Sequence, residues 1–195
     1  MDSIEFVSNS LNKGHSHEEV LAKAGTDAES IILCAAYWKP NGIRLIKSQL
    51  ISALERGVPV EIYASLNEWN TTPEALTELL DLVSQHRGAK LYLCEKKGSI
   101  FHTKVYYFRT SSKFTAIIGS ANLTEGGLSK NDEASVVVKG GFDTAFHNEL
   151  LVYLLELKGR KEMVLEATKE RIEEYQKEFK KRNDRRVKRG LRPPT

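Results

Sequence analysis

Five residue types that together suit attack on a phosphate ester lie within 32 residues of this chain, from His102 to Glu133. They form polar islands set in apolar sequence: His102-Thr-Lys104, Gly119-Ser120-Ala-Asn122, Gly126-Gly127 and Asn131-Asp-Glu133. Side chains alternate along an extended strand, so His102 and Lys104 share one face, as do Asn131 and Glu133. An imidazole can act as nucleophile, and an ammonium, a hydroxyl and an amide can hold charged oxygens. A carboxylate can fix the tautomer of the imidazole. No spacing of Cys, His or carboxylates suggests a metal site, so neither a metal nor a cofactor is expected.

These residues need a sheet to position them. Ile100–Phe108, Phe114–Ile118 and Glu133–Val138 read as strands, with the polar islands at their ends. Upstream, Ile4–Val7 reads as a short edge strand and Ser30–Tyr37 as a strand covered on both faces. Val58–Ser65 and Ala89–Cys94 read as further strands. Between them, Ser16–Ala24, Gly42–Arg56 and the segment opened by Thr72-Pro73-Glu74 have helical spacing and capping. The pattern predicts an α/β layered fold: a mixed, mostly parallel sheet with helices on both faces. Thr144–Leu157 reads as an amphipathic helix, and Glu162 to about Arg182 as a longer, charge-laced C-terminal helix.

Ligands collect beyond the carboxyl ends of strands in such sheets, so Trp38 and Trp69 are candidates to line a substrate groove. Each is equally readable as an aromatic covering the sheet edge. Lys96 and Lys97, just before the motif strand, are candidate phosphate contacts. His15 and His17 flank a helix cap without further ligands near them, and read as a solvated loop.

A hydrophobic fraction of 41% in 195 residues allows one substantial core. No apolar run reaches the ~18 residues of a membrane span, and the amino terminus lacks a signal pattern. Cys34 and Cys94 sit in apolar runs, consistent with buried thiols and a cytoplasmic location. The net charge of +3 is unevenly spread: residues 158–195 hold 14 Lys and Arg against 7 Asp and Glu. Arg185 and Arg186 belong to that basic cluster and are candidate nucleic-acid contacts.

The combination His102-x-Lys104, Gly119-Ser120-x-Asn122 and Asn131-x-Glu133 resembles the signature of the phospholipase D superfamily. The wording Gly-Ser-Ala-Asn-Leu-Thr followed by Gly-Gly-Leu is similar to its nuclease branch, and most like metal-independent restriction endonucleases. One departure is Arg109, five residues after the lysine, where the family often has aspartate. The resemblance implies a phospholipase D-like fold over 1–157, with 158–195 a charged helix and basic tail, readable as a linker to a further recognition domain. It implies His102 as nucleophile forming a phosphohistidine. Lys104, Ser120 and Asn122 would be phosphate donors and Glu133 the acceptor from the imidazole. With one motif per chain it further implies a homodimer whose active site lies on the two-fold axis, with DNA as substrate. The alternatives are a phospholipase or phosphatidyl transferase of the same superfamily, or a nucleic-acid-binding module that keeps the motif without catalysis.

Overall fold

Three stretches rich in β-branched and apolar residues become the central strands of one sheet: β2 (Ser30–Ala35), β3 (Val60–Ser65) and β4 (Ala89–Cys94). The computed structural model describes residues 2–10, 16–95 and 98–188. The helices α2 (Pro40–Glu55) and α3 (Pro73–Ser84) connect these strands, and such crossovers make β2–β3 and β3–β4 parallel. The remaining elements are β1 (Ser3–Ser8), α1 (His17–Gly25), β5 (Val105–Arg109), β6 (Phe114–Gly119) and β7 (Ala134–Gly140). After them come α4 (Ala145–Gly159), β8 (Val164–Glu166) and α5 (Lys169–Lys188).

The eight strands lie in the order β1-β7-β6-β5-β2-β3-β4-β8. The expected mixed α/β sheet is present, but it is mostly antiparallel: five of its seven pairings run that way. The reason is local. Strand–helix alternation stops after β4, and β5 and β6 are joined by a tight turn in which Thr110 N–H meets Lys113 C=O at 2.9 Å. A connection that short can only return the chain antiparallel.

Helices cover both faces, unequally. Leu21 of α1, Ile43 and Leu50 of α2, Leu76 and Leu79 of α3, and Ile172 and Tyr175 of α5 pack on one side with Ile31, Leu33, Ile62 and Leu91. On the other side α4 alone lays Leu150, Leu154 and Leu157 over Tyr63, Tyr107 and Phe114. Burial of this area is the main stabilising term.

Residues 164–188 add a strand and a helix to this fold. In place of one helix from Glu162, Val164–Glu166 forms the edge strand paired with β4, and α5 begins only at Lys169. Tyr175 is 1% exposed and donates to the Thr71 carbonyl at 2.8 Å. Cys34 and Cys94 are buried free thiols; burial pushes Cys94 up to about 12 and Cys34 well above its usual range, so both are poor nucleophiles. No helix of the described residues is long and apolar enough to cross a membrane.

His17 is the clearest departure in this half. It is not solvated but 0% exposed, at the first turn of α1 beneath the sheet edge. Its Nδ1 donates to Asn9 Oδ1 at 2.7 Å, and its Nε2 meets Ser135 Oγ at 2.8 Å. Asn9 in turn donates to the carbonyls of Gly127 and Asn131 at 2.9 and 3.1 Å. Burial holds the imidazole below its ordinary value, with Glu133 opposing. The unfolded histidine therefore takes a proton first, and His17's contribution is fully present above about pH 6.5 and lost as pH falls through the lower folded value. His17→Leu should cost on the order of 2 kcal/mol by stranding Ser135 and Asn9. It should also flatten the acid-side loss of stability, as read from urea midpoints at pH 7.5 and 5.5; an equal slope in both proteins would assign the acid sensitivity elsewhere.

Candidate active site

The strand directions bring the polar islands together. Beta-2 ends at one edge of the sheet, and β5, antiparallel to it, begins there; β6 ends there and β7 begins there. His102 and Lys104 precede β5, Ser120 and Asn122 follow β6, and Glu133 precedes β7, so all five lie on one edge. The strand expected from Ile100 starts only at Val105; Phe101–Lys104 is an extended lead-in. Arg109 lies at the far end of β5, its guanidinium 5.1 Å over the Phe142 ring, away from this edge.

Two close backbone approaches hold the island after β6. A β-carbon on Gly127 would lie 2.3 Å from the Asn122 carbonyl oxygen, and one on Gly42 would lie 2.3 Å from that of Leu123. Only glycine fits either place. Leu123 also bridges to Trp38, and its carbonyl accepts from Lys39 N–H at 3.0 Å. The Gly126–Lys130 turn and the start of α2 thereby clamp Asn122 onto the end of β2.

Within the site, the Lys104 amine lies 2.7 Å from His102 Nδ1, 3.0 Å from Nε2 and 3.0 Å from the His102 carbonyl oxygen. Lys104 is 6% exposed, whereas His102 is exposed. Burial lowers the Lys104 pKa, opposed by Glu133 and Glu68; burial and then the Lys104 charge lower that of His102, opposed by Glu68. Asn122 Oδ1 accepts from Tyr37 N–H at 3.0 Å. A backbone N–H can only donate, so the amide orientation is fixed and Asn122 Nδ2 remains as the donor for a guest. Ser120 Oγ donates to Glu133 Oε2, and Asn131 Nδ2 reaches Glu133 Oε1 at 3.4 Å. The carboxylate expected to hold His102 is thus engaged by Ser120, and Asn131 supports it.

The outer candidates fare differently. Trp38 is 0% exposed and donates from Nε1 to the carbonyls of Ala35 and Tyr63, both at 3.1 Å, so it is core and lines no groove. Trp69 is stacked on Tyr175 with centroids 5.1 Å apart, and Arg182 lies 5.5 Å from its ring, so it ties α5 to the loop after β3. Arg185 and Arg186 lie in the last turn of α5, which continues to Lys188. Lys96 and Lys97 lie outside the described residues.

Tyr37, an aromatic of the loop after β2 readable as groove-lining, and Glu68, which the sequence does not single out, also reach the site. Tyr37, beside the selected Trp38, sets its ring 5.6 Å from that of His102, edge-on at 73°, with the Lys104 amine 5.7 Å from its centroid. Its hydroxyl donates to Glu68, beside the selected Trp69. Glu68 and Trp69 both have φ of +62°, a left-handed conformation that non-glycine residues hold at a cost of ~1–3 kcal/mol each.

A buried ammonium against an exposed imidazole, with an amide N–H₂ and a hydroxyl alongside, is a set of groups that can hold a tetrahedral anion next to an imidazole nitrogen. Comparison with known proteins agrees. The domain family described as "Cardiolipin synthase, PLD-like domain" matches residues 19–157. The chain belongs to the phospholipase D-like family.

Among solved structures, the chain is similar to the phospholipase D family member Nuc from Salmonella typhimurium, at 21% identity and a TM-score of 0.64. That match covers 86% of this chain and 99% of Nuc. NucT from Helicobacter pylori matches at 14% identity and a TM-score of 0.62, over 86% of this chain and 100% of NucT. Phosphatidylserine synthase from Haemophilus influenzae Rd KW20 matches at 14% identity and a TM-score of 0.62, over 95% of this chain and 46% of the synthase. At these identities the likeness is one of fold. No curated protein matches in sequence. The family match spans the stretch that holds the motif, His102 to Glu133.

Proposed function

We propose that this chain is a DNA endonuclease that cleaves phosphodiesters through a covalent phosphohistidine, in the manner of the restriction-type members its motif resembles. The observation that carries the reading is Lys104: a buried amine lying against the imidazole and carbonyl of His102, where a phosphate oxygen would replace those contacts. A buried cation is costly unless an anion joins it. In the first step a His102 ring nitrogen attacks phosphorus, the N–P bond forms, and the P–O bond to the leaving oxygen breaks. Lys104, Ser120 and Asn122 Nδ2 hold the non-bridging oxygens as charge builds on them. The group that protonated the leaving oxygen then takes a proton from water; the water oxygen attacks phosphorus, and the N–P bond breaks to release the imidazole.

In-line displacement needs a proton donor opposite the nucleophile, and the site edge carries one His-x-Lys set. We assign that donor to His102 of a second copy across a two-fold axis. Exposed apolar side chains support an interface there. Ile4 and Phe6 of β1 are 72% and 62% exposed, on the sheet face that α4 leaves open. Phe6 lies across from Val136, which lies across from Ile118, two residues before Ser120.

DNA is favoured by the basic half of α5. Arg182 stands at Trp69, on the loop that carries Glu68, and exposed Lys180, Lys181 and Arg185 continue from it. Phosphatidyl transfer is the second reading, favoured by the family description. The histidine mechanism has no step that calls for a metal ion. Purified protein should therefore nick and linearise plasmid DNA in EDTA, and His102→Ala should not. Activity lost in chelator and restored by magnesium would overturn the mechanism. Headgroup exchange on phospholipid vesicles with intact plasmid would favour the second reading.

A further inference from the structure

We infer that Glu68 is a positioning residue for this reaction: a second carboxylate, held over the site through Tyr37, that keeps His102 able to carry a proton beside Lys104. The inference deepens the proposed function, since it assigns a role at the same site.

The geometry is over-determined for a loop residue. Leu66 N–H donates to the Cys94 carbonyl at 2.9 Å, and Asn67 N–H to Ser65 Oγ at 3.1 Å. Asn67 Oδ1 accepts from Phe101 N–H at 3.3 Å, fixing the loop to the residue before His102. Trp69 is anchored on Tyr175 of α5. Between these anchors the backbone of Glu68 is left-handed without being glycine, and its side chain is exposed except where it accepts from the Tyr37 hydroxyl. Tyr37 touches everything the reaction uses from this side: its ring meets His102 and Lys104, and its N–H orients Asn122. A strained position fixed at both ends, holding a carboxylate on the hydroxyl of the tyrosine that packs against His102, is more than a surface turn requires.

The chemistry supplies the need. In a composite site one His102 attacks as the neutral base while the other must donate a proton to the leaving oxygen. Burial and the adjacent Lys104 both drive the proton off His102. The groups facing it are Lys104 from its own segment, Tyr37 from the loop after β2 and Glu68 from the loop after β3, with Glu133 across Lys104 on Ser120. Glu133 acts on Lys104 and His17, whereas Glu68 acts on His102 and Lys104. Glu68 is therefore the charge placed to restore the acid form.

The test reads His102 directly. The imidazole C–H signals of the full chain are followed by NMR against pH, with the His102→Ala spectrum identifying the resonance among five histidines. Glu68→Gln keeps the size of the side chain and an acceptor for Tyr37, and should move the His102 titration down. Glu68→Gly, which relieves the left-handed backbone and so guards against misfolding, should move it equally. Glu68→Asp should return part of the shift. The pH optimum for plasmid cleavage should follow to lower pH, leaving activity at pH 7.5 about tenfold down and restored on acidification. A His102 titration unmoved by both Glu68→Gln and Glu68→Gly overturns the inference. Because the titration needs no turnover, a shifted titration in a chain that cleaves nothing would remove the proposed function and support the role of Glu68.

Discussion

Dimers pairing one wild-type chain with one His102→Ala chain should be almost inactive, below about 1% of wild type, rather than half active. The expectation follows from one His-x-Lys set having to supply two chemical roles. If the phosphate sits on a two-fold axis, a mixed dimer holds a single His102 and lacks either the nucleophile or the proton donor. Losing a general acid alone is worth ~10²–10⁴ in rate, and losing the nucleophile stops the covalent route. Subunits exchanged at equal amounts give wild-type pairs in about a quarter of the dimers, so total activity should fall to about a quarter of the undiluted value. Independent sites would leave about half. His102 is exposed at the sheet edge, so its removal should leave the fold intact, and circular dichroism of His102→Ala should match wild type. Full activity from a chain that stays monomeric on dilution would sink the composite site.

How far the sequence reveals this site depends on which physical signal each part leaves. The motif residues stand out in the sequence by their types and spacing, and the ends of β5, β6 and β7 place His102, Lys104, Ser120, Asn122 and Glu133 on one edge. Strand direction was not legible after β4, since an apolar run reads the same either way along the sheet. Only the tight Thr110–Lys113 turn betrays the hairpin. Beta-8 leaves no signal, because three residues at an edge carry no periodicity and Val164 and Leu165 fit the helical pattern that runs on into α5.

Trp38 and Tyr37 show the limit best. Both follow β2, where either aromatic could line a groove, but the Trp38 indole N–H finds two carbonyls inside and stays there. Tyrosine at the neighbouring position keeps its hydroxyl outside, and that hydroxyl reaches Glu68. Glu68 leaves no pattern at all. Its placement comes from a left-handed turn of non-glycine residues, which local propensity argues against.

Glu133→Gln should cut turnover by about 10³–10⁴-fold, comparable to other carboxylates that orient a catalytic imidazole, while leaving DNA affinity and fold unchanged. Glu133 accepts from Ser120 Oγ, and the His102 ring nitrogens lie against the Lys104 amine. Glu133 has two routes to the reaction: through Ser120, by orienting a donor to the phosphate, or through His102, once the phosphate draws Lys104 and Ser120 onto its own oxygens and frees the carboxylate for the imidazole. The routes differ in size. One lost hydroxyl donor costs ~10²–10³, whereas an imidazole in the wrong tautomer costs ~10⁴. Ser120→Ala should therefore be roughly tenfold milder than Glu133→Gln. The double variant should fall below either single, because Glu133 retains its hold on His102 when Ser120 is gone. Equal losses in both singles, with no further loss in the double, would show that Glu133 works only by aiming the Ser120 hydroxyl.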